Sequence, residues 1–376
     1  MNIPFIDLKT QYRRIEAEVK KNIETVLEHG AYVMGPEIKE LEARLAAYCG
    51  VKHAVGCASG TDALLMALMA LGIGPGHAVF TTPFTFMATA EVVSLLGATP
   101  VFCDIDAATF NMDPASLDAV IAKTRKERPE LTPKAVISVD LFGLPCDYDA
   151  LDAICARHGL VLVEDAAQAF GGQYKGRMCC SFGAIACTSF FPAKPLGCYG
   201  DGGMCFTDSD ELKDLLLSIR IHGQGRDKYE NVRIGINGRL DTLQAAVLLP
   251  KFGLFPEEVG LRQKAAERYA ALLSQVPGLT VPQVPEGYLS VWAQYSVLAR
   301  DTEHRAQLMD TLKAGGVPTA IYYPQPLHLQ QAYANLGYKA GDFPVCEGLG
   351  RRVFSLPMHP YLTAEAQERV AQAMLA

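Results

Sequence analysis

The sequence predicts an α/β protein: a large domain on a seven-stranded, mostly parallel sheet covered by helices, followed by a smaller C-terminal α+β domain. Three observations predict it. Short β-type runs alternate with stretches of helical periodicity between residues 53 and 207, and such alternation buries a parallel sheet between helical layers. Beyond Pro250 the pattern shifts to a charged helix, an alternating strand and further short elements. The length, 376 residues of which 49% are hydrophobic, suffices for two domains with a sizeable core. The expected division is 1–250 and 251–376.

Each element has its own signal. Ile15, Val19, Ile23 and Val26 recur at helical spacing, as do Ile38, Leu41, Leu45 and Tyr48. Pro36 suits the first turn of the second helix and Gly50 its C-terminal cap. The expected strands are 53–57, 78–82, 101–105, 135–139, 160–164, 184–189 and 203–207, with helices at 62–71, 87–96, 114–123 and 148–158 between them. The loop 222–241, HGQGRDKYENVRIGINGRLD, is polar, glycine-rich and long for a compact domain, which marks function or a subunit contact. In the C-terminal part a helix is expected at 257–273, an antiparallel strand in SVWAQYSVLAR and a helix at 305–314.

Composition excludes some classes. A net charge of −7 argues against nucleic acid or a membrane surface as the main partner. The longest apolar run, near 63–71, is too short to span a bilayer. The eleven cysteines include no CxxC pair, and the start of the chain has no secretory pattern. They are read as reduced, mostly buried thiols of a cytoplasmic protein. The eight histidines are scattered, so no metal site is expected.

In α/β sheets of this kind ligands collect at the carboxyl ends of strands, and several chemistry-bearing groups fall there. The stretch SFFPAKPLGCYGDGG, 189–203, holds one lysine, Lys194, between Pro192 and Pro195 and near Phe190, Phe191 and Tyr199. The prolines fix the backbone, and the glycines at 197, 200, 202 and 203 are expected to permit tight turning. Desolvation lowers a lysine's pKa and makes it the nucleophile that Schiff-base chemistry needs. A surface lysine in a Gly/Pro turn has the same pattern. Ser59, Gly60 and Thr61 open an apolar helix, which suits either a phosphate site or an ordinary cap. Phe84 and Phe86 follow a strand end and could pack in the core or stack on a flat ring. Asp165 ends the buried strand LVLVED, where a carboxylate must be paired, and a protonated ring nitrogen would suit it. An Asp capping the next helix would look the same. Gln168 follows about one helical turn later.

A phosphate site, an aromatic, a strand-end Asp and a glycine-bounded lysine, in that order, match what pyridoxal phosphate (PLP) requires. With the segments FIDLKTQY, GPEIKELE, SGTDAL, PFTFMATAE, EDAAQAFG, SFFPAKPLGCYGDGG, NGRLD, YPQPLHLQ and SLPMHPYL, the chain resembles the DegT/DnrJ/StrS family of nucleotide-sugar aminotransferases over nearly its whole length. That family has the fold-type I architecture. The resemblance is greatest to its WbpE-type branch, which uses L-glutamate to aminate the 3-keto group of a UDP-linked N-acetylglucosaminuronic acid.

The resemblance implies a role for each matching residue. Lys194 is the Schiff-base lysine and the acid–base, and Asp165 pairs with the pyridine nitrogen. Gln168 lies beside the ring hydroxyl, and Phe86 stacks on the ring. Gly60, Thr61 and Ser189 hold the phosphate, which Asn237 completes from the other subunit of a homodimer. Arg239, on the same loop, suits a substrate carboxylate through its planar fork. Tyr322 and Tyr323 match a sugar-side pair that usually reads His-Tyr. The implied substrates are L-glutamate and UDP-2-acetamido-2-deoxy-3-oxo-glucuronate, and the product is a 3-amino sugar for surface polysaccharide. A dTDP-linked 3-keto- or 4-keto-6-deoxyhexose is the alternative acceptor, and a PLP-binding regulatory protein without turnover is the non-enzymatic one. A sugar dehydratase of this family would carry histidine at the position of Lys194.

Overall fold

The computed structural model describes residues 3–227 and 229–375. The central sheet has seven strands: β1 His53–Cys57, β2 His77–Thr81, β3 Thr99–Phe102, β4 Thr132–Val139, β5 Val161–Asp165, β6 Ile185–Ser189 and β7 Gly203–Thr207. Their spatial order is β1-β7-β6-β5-β4-β2-β3. β7 runs antiparallel to both of its neighbours, and the other adjacent pairs are parallel. The expected strands are therefore found: β1 and β7 have the expected bounds, and β2, β5 and β6 differ by one residue. β4 begins three residues early, and β3 begins two early and ends three early, with Cys103 and Asp104 irregular after it.

The helices are α1 Leu8–His29, α2 Pro36–Cys49, α3 Gly60–Ala70, α4 Ala88–Leu95, α5 Pro114–Glu127, α6 Tyr148–His158, α7 Asp210–Ile219, α8 Thr242–Leu273, α9 Thr302–Ala314, α10 Pro344–Gly350 and α11 Ala364–Leu375. α2 starts at Pro36 and ends on Gly50 at φ +72°, a left-handed conformation that costs glycine no side-chain clash. Its buried face, Ile38, Leu41 and Leu45, joins the cluster that holds Phe170, Phe190 and Leu248. The apolar stripe of α1 packs on α8 through Ile15, Val19 and Val247.

One expectation is corrected in α8. The helix foreseen at 257–273 is the second half of a single 32-residue helix that begins at Thr242 and contains Pro250 and Pro256. Residue 250, where the composition shifts, thus lies inside a helix. A proline there removes the amide that would bond the carbonyl of Ala246. Asn22 Nδ2 of α1 donates to that carbonyl instead, at 3.2 Å, so the break in the ladder is repaired by a side chain distant in sequence.

The C-terminal part carries a three-stranded antiparallel sheet, β8 Leu279–Thr280, β9 Tyr295–Ala299 and β10 Val353–Leu356. The strand expected in SVWAQYSVLAR forms only from Tyr295. Val291, Trp292 and Ala293 precede it as buried loop, with Trp292 at φ +53°. Tyr269, Tyr295, Leu312, Phe354, Val370 and Ile3 are among the residues that build the core here. The N-terminal segment is tied to this core, since Met358 N donates to Phe5 O at 3.2 Å.

Candidate active site

The carboxyl ends of β1, β2, β5 and β6 open onto one cavity of about 680 Å³. Gly60, Thr61, Phe86, Asp165, Gln168, Ser189, Lys194, Tyr322 and Tyr323 all line it. Nine sequence-selected residues, spread over more than 260 positions, are brought together: seven near the ends of the sheet strands, and Tyr322 and Tyr323 from the C-terminal part. Asn237 and Arg239 are not among the residues lining this cavity. Asn237 is exposed and pairs with Ile221 through a bridge of the 222–241 loop, while Arg239 pairs with Cys57.

The phosphate end is built at the start of α3. Ser59 caps the helix, its hydroxyl accepting from Asp62 N at 3.0 Å. The amides of Gly60 and Thr61 lie in the first turn, where helical amides lack intrahelical partners. Gly60 is required by close approach: a Cβ there would lie 2.6 Å from that of Ser189. A small cradle of amides and hydroxyls at a helix N-terminus suits a phosphate dianion.

Asp165 is 5% exposed. Its Oδ2 accepts from Thr89 Oγ1 at 2.8 Å and its Oδ1 from Ala167 N at 3.2 Å. Burial pushes its pKa up, while these hydrogen bonds and Lys194 favour the ion. The bond to Ala167 closes a turn rather than capping a helix, because residues 166–171 form successive turns. Gln168 is therefore aimed by turn geometry. Its Oε1 accepts from Phe142 N at 2.8 Å, and its Nε2 donates to Tyr323 OH at 3.1 Å. Glu164, one residue before Asp165, is fully buried and accepts from the amides of Cys180 and Phe182 at 2.6 and 2.8 Å.

The two phenylalanines divide the roles the sequence left open. Phe84 is wholly buried against Phe110 and Phe142. Phe86 is 58% exposed on the cavity wall, with its ring 6.5 Å from that of Tyr323. An exposed flat face in a concave site suits a planar ligand.

Lys194 is half-buried, and desolvation pushes its amine down to about 8, against the pull of Asp165. Its loop folds back on itself: Cys198 N bonds Phe190 O and Phe190 N bonds Gly202 O, both at 2.7 Å. The glycines in this fold-back are needed for space rather than for left-handed backbone. Gly197, Gly200, Gly202 and Gly203 are absent from the left-handed conformations. A Cβ on Gly197 would lie 2.5 Å from Pro192 O, and one on Gly203 would fall on the carbonyl of Ser59. Gly197 and Gly203 admit close backbone contact, and Gly200 and Gly202 admit the side chains of Gln244 and Leu240.

Other residues enter the site without a local sequence signal. Gln244 and Lys251, seven apart on α8, brace the lysine loop. Gln244 Oε1 accepts from Tyr199 N at 2.9 Å, and the buried Lys251 donates to Gly197 O at 2.5 Å. Thr85, Thr89, Asp201, Gln294 and Ile6 also line the cavity. The order TFMATAE–EDAAQ could have suggested Thr89, but nothing in the sequence ties Lys251 or Gln294 to it. The residues present fit PLP: an amine near its working pKa, a buried carboxylate with donors on both oxygens, a helix-end cradle and an exposed ring face.

Comparison with known proteins agrees with this geometry. The profile of the DegT/DnrJ/EryC1/StrS aminotransferase family matches residues 13–375. UDP-2-acetamido-2-deoxy-3-oxo-D-glucuronate aminotransferase of Pseudomonas aeruginosa is 48% identical over 99% of this chain and 99% of its own. A crystal structure of a DegT DnrJ EryC1 StrS aminotransferase from Brucella abortus superposes with a TM-score of 0.95 at 50% identity, covering 99% and 98% of the two chains. That of DesV from S. venezuelae, in complex with a ketimine intermediate, gives 0.93 at 40% identity over 99% and 97%. With this lysine, carboxylate and helix-end cradle in one cavity, and with relatives of this identity matched end to end, the chain belongs to the DegT/DnrJ/EryC1/StrS aminotransferase family.

Proposed function

We propose that the chain is a PLP-dependent aminotransferase that moves the amino group of L-glutamate to a keto-sugar nucleotide, UDP-2-acetamido-2-deoxy-3-oxo-glucuronate, giving the 3-amino sugar for surface polysaccharide. The observation that carries the substrate is the 48% identity, over 99% of both chains, to an enzyme of that name. PLP as cofactor is supported by the family and by the fit of the cavity.

Bound PLP would supply an electrophilic carbonyl and an electron sink; the chain's own groups do the rest. Lys194 Nζ, held down to about 8, is partly neutral near neutral pH. It can take a proton from the α-carbon of glutamate and return one to C3 of the sugar. Asp165 holds a proton at the ring nitrogen, and the amides of Gly60 and Thr61 with the Ser189 hydroxyl hold the phosphate. Phe86 would cover one ring face, and Gln168 would lie near the ring oxygen. Ile6, Phe86 and Phe191 line the cavity and limit water around Lys194. Tyr322 and Tyr323 contribute the sugar side, with Tyr322 at the usual histidine position. Asn237 and Arg239, on the 222–241 loop, are assigned to the partner's site of a homodimer; Asn237 is exposed. The eleven free, buried cysteines favour a cytoplasmic location, and no helix among the described residues is long and apolar enough to cross a membrane.

The test is an absorption spectrum of the PLP-loaded protein before and after L-glutamate, followed by a panel of UDP- and dTDP-linked keto sugars. The expected result is a visible band that gives way to a near-ultraviolet one with glutamate and returns with the UDP-linked 3-keto sugar. Return only with a dTDP-linked sugar would move the assignment to the 6-deoxyhexoses. A band indifferent to glutamate would overturn the donor.

A further inference from the structure

Asp165 is buried at the end of β5, and burial opposes its charge. What keeps a carboxylate there ionised and correctly turned is its donors. We propose that Thr89 is the positioning residue for Asp165, with Thr85 behind it: the two hydroxyls form a one-way chain of hydrogen bonds that holds Asp165 as an acceptor, and hence as an anion. This rests on the reading in which Asp165 faces the ring nitrogen of PLP.

The direction of the chain follows from counting protons. Thr89 Oγ1 lies 2.8 Å from Asp165 Oδ2 and 3.0 Å from Thr85 Oγ1. A hydroxyl carries one proton. If Thr89 donates it to the carboxylate, Thr85 must donate to Thr89. Ala167 N, which can only donate, takes the other carboxylate oxygen at 3.2 Å. A proton on Asp165 would leave both donors in reach but would turn two charge-assisted hydrogen bonds into weaker neutral ones. Two donors aimed at the carboxylate therefore favour the anion. Both threonines are almost fully buried, at 2% and 1% exposure, so solvent competes little for these bonds. In that environment aligned hydrogen bonds reinforce one another. Thr85 lies in the bend before α4 and Thr89 in its first turn, so it is the bend that brings the two hydroxyls together. Lys194 is the charged side chain that acts on Asp165 from across the cavity.

Valine has the shape of threonine without the hydroxyl, so the test compares Thr89→Val, Thr89→Ser, Thr85→Val and Asp165→Asn in the full-length protein. Three quantities are read: the PLP dissociation constant by equilibrium dialysis, the pH titration of the visible band, and the rate of the glutamate-driven spectral change. Loss of a hydrogen bond to a charged group predicts that Thr89→Val weakens PLP binding about tenfold or more and shifts the titration. Thr89→Ser should restore both, and Thr85→Val should fall between. If Thr89→Val binds and titrates like the unaltered protein while Asp165→Asn does not, the chain is overturned and the reading of Asp165 stands. Thr89→Ser as impaired as Thr89→Val would also overturn it, since packing would then be the cause. Asp165→Asn indistinguishable from the unaltered protein would instead remove the reading on which the chain rests.

Discussion

At the scale of single residues, the proposed chemistry turns on one amine and one carboxylate that share a cavity. An ordinary lysine is almost wholly protonated near neutral pH. Desolvation holds Lys194 down to about 8, and only its neutral form can attack a carbonyl. The sign follows directly. Below about 8 the amine is charged and idle, so the rate at which the apo-protein captures PLP should rise as pH increases through that value and then level off. Stopped-flow absorbance over this range checks it, and a flat profile would separate capture from the ionisation of Lys194. Lys194→Ala should lower glutamate conversion by about a hundredfold or more, the usual loss on removing an acid–base group. Normal turnover by this variant would remove Lys194 from the chemistry.

At the scale of elements, the stiffness of the lysine loop comes from its contacts. Prolines set two φ angles, but the loop is held by its own backbone bonds and by α8. Lys251 donates to Gly197 O while lying 4.6 Å from the centroid of the Tyr199 ring. Lys251→Met keeps the stem and leaves a buried carbonyl unpaired, which should destabilise by about 1–3 kcal/mol and loosen PLP. Thermal melting and dialysis together read both effects, and a change in neither would mean that the brace is idle. The start of α3 meets the end of β6 with no room to spare. Gly60→Ala sets a methyl 2.6 Å from Ser189 Cβ, and such overpacking costs about 1–3 kcal/mol. PLP binding should weaken with it, because both halves of the phosphate cradle must move.

At the scale of the whole molecule, we propose that the chain divides near residue 250 into a large PLP-binding part and a small C-terminal part, with α8 belonging to both. Phe255 packs in the core under the large sheet, whereas Ala265, Ala266 and Tyr269 pack in the C-terminal core. Hydrogen exchange should show the first half of α8 protected with the central strands and the second half with β9 and β10; uniform protection along α8 would argue against the division. The loop 222–241 carries Val232 and Ile234 exposed at 52% and 85%, as a segment covered by a second copy would. If Asn237 serves the partner's site, mixing Lys194→Ala with Asn237→Ala protein yields hybrids with one intact site. A two-fold dimer mixed at random should recover about a quarter of full activity. No recovery, with subunit exchange verified, would exclude a shared site.

The sequence by itself determined the strand–helix alternation, the seven sheet strands to within a few residues, and nine of the residues that line the cavity. These are local or periodic properties: a buried strand is an apolar run, a helix start is a cap, and a reactive lysine sits among prolines and glycines. Only the tertiary structure decided which of two neighbouring aromatics faces the cavity, since Phe84 and Phe86 differ in what lies across from them rather than in kind. It alone also showed that the loop glycines admit close contacts as the chain folds back, and that a helix runs through Pro250, with Asn22 donating to the carbonyl left free. Lys251, Gln294 and the orientation of Thr89 were illegible for the same reason. Their roles are set by atoms far away in the chain, and no local pattern encodes a partner supplied by another element.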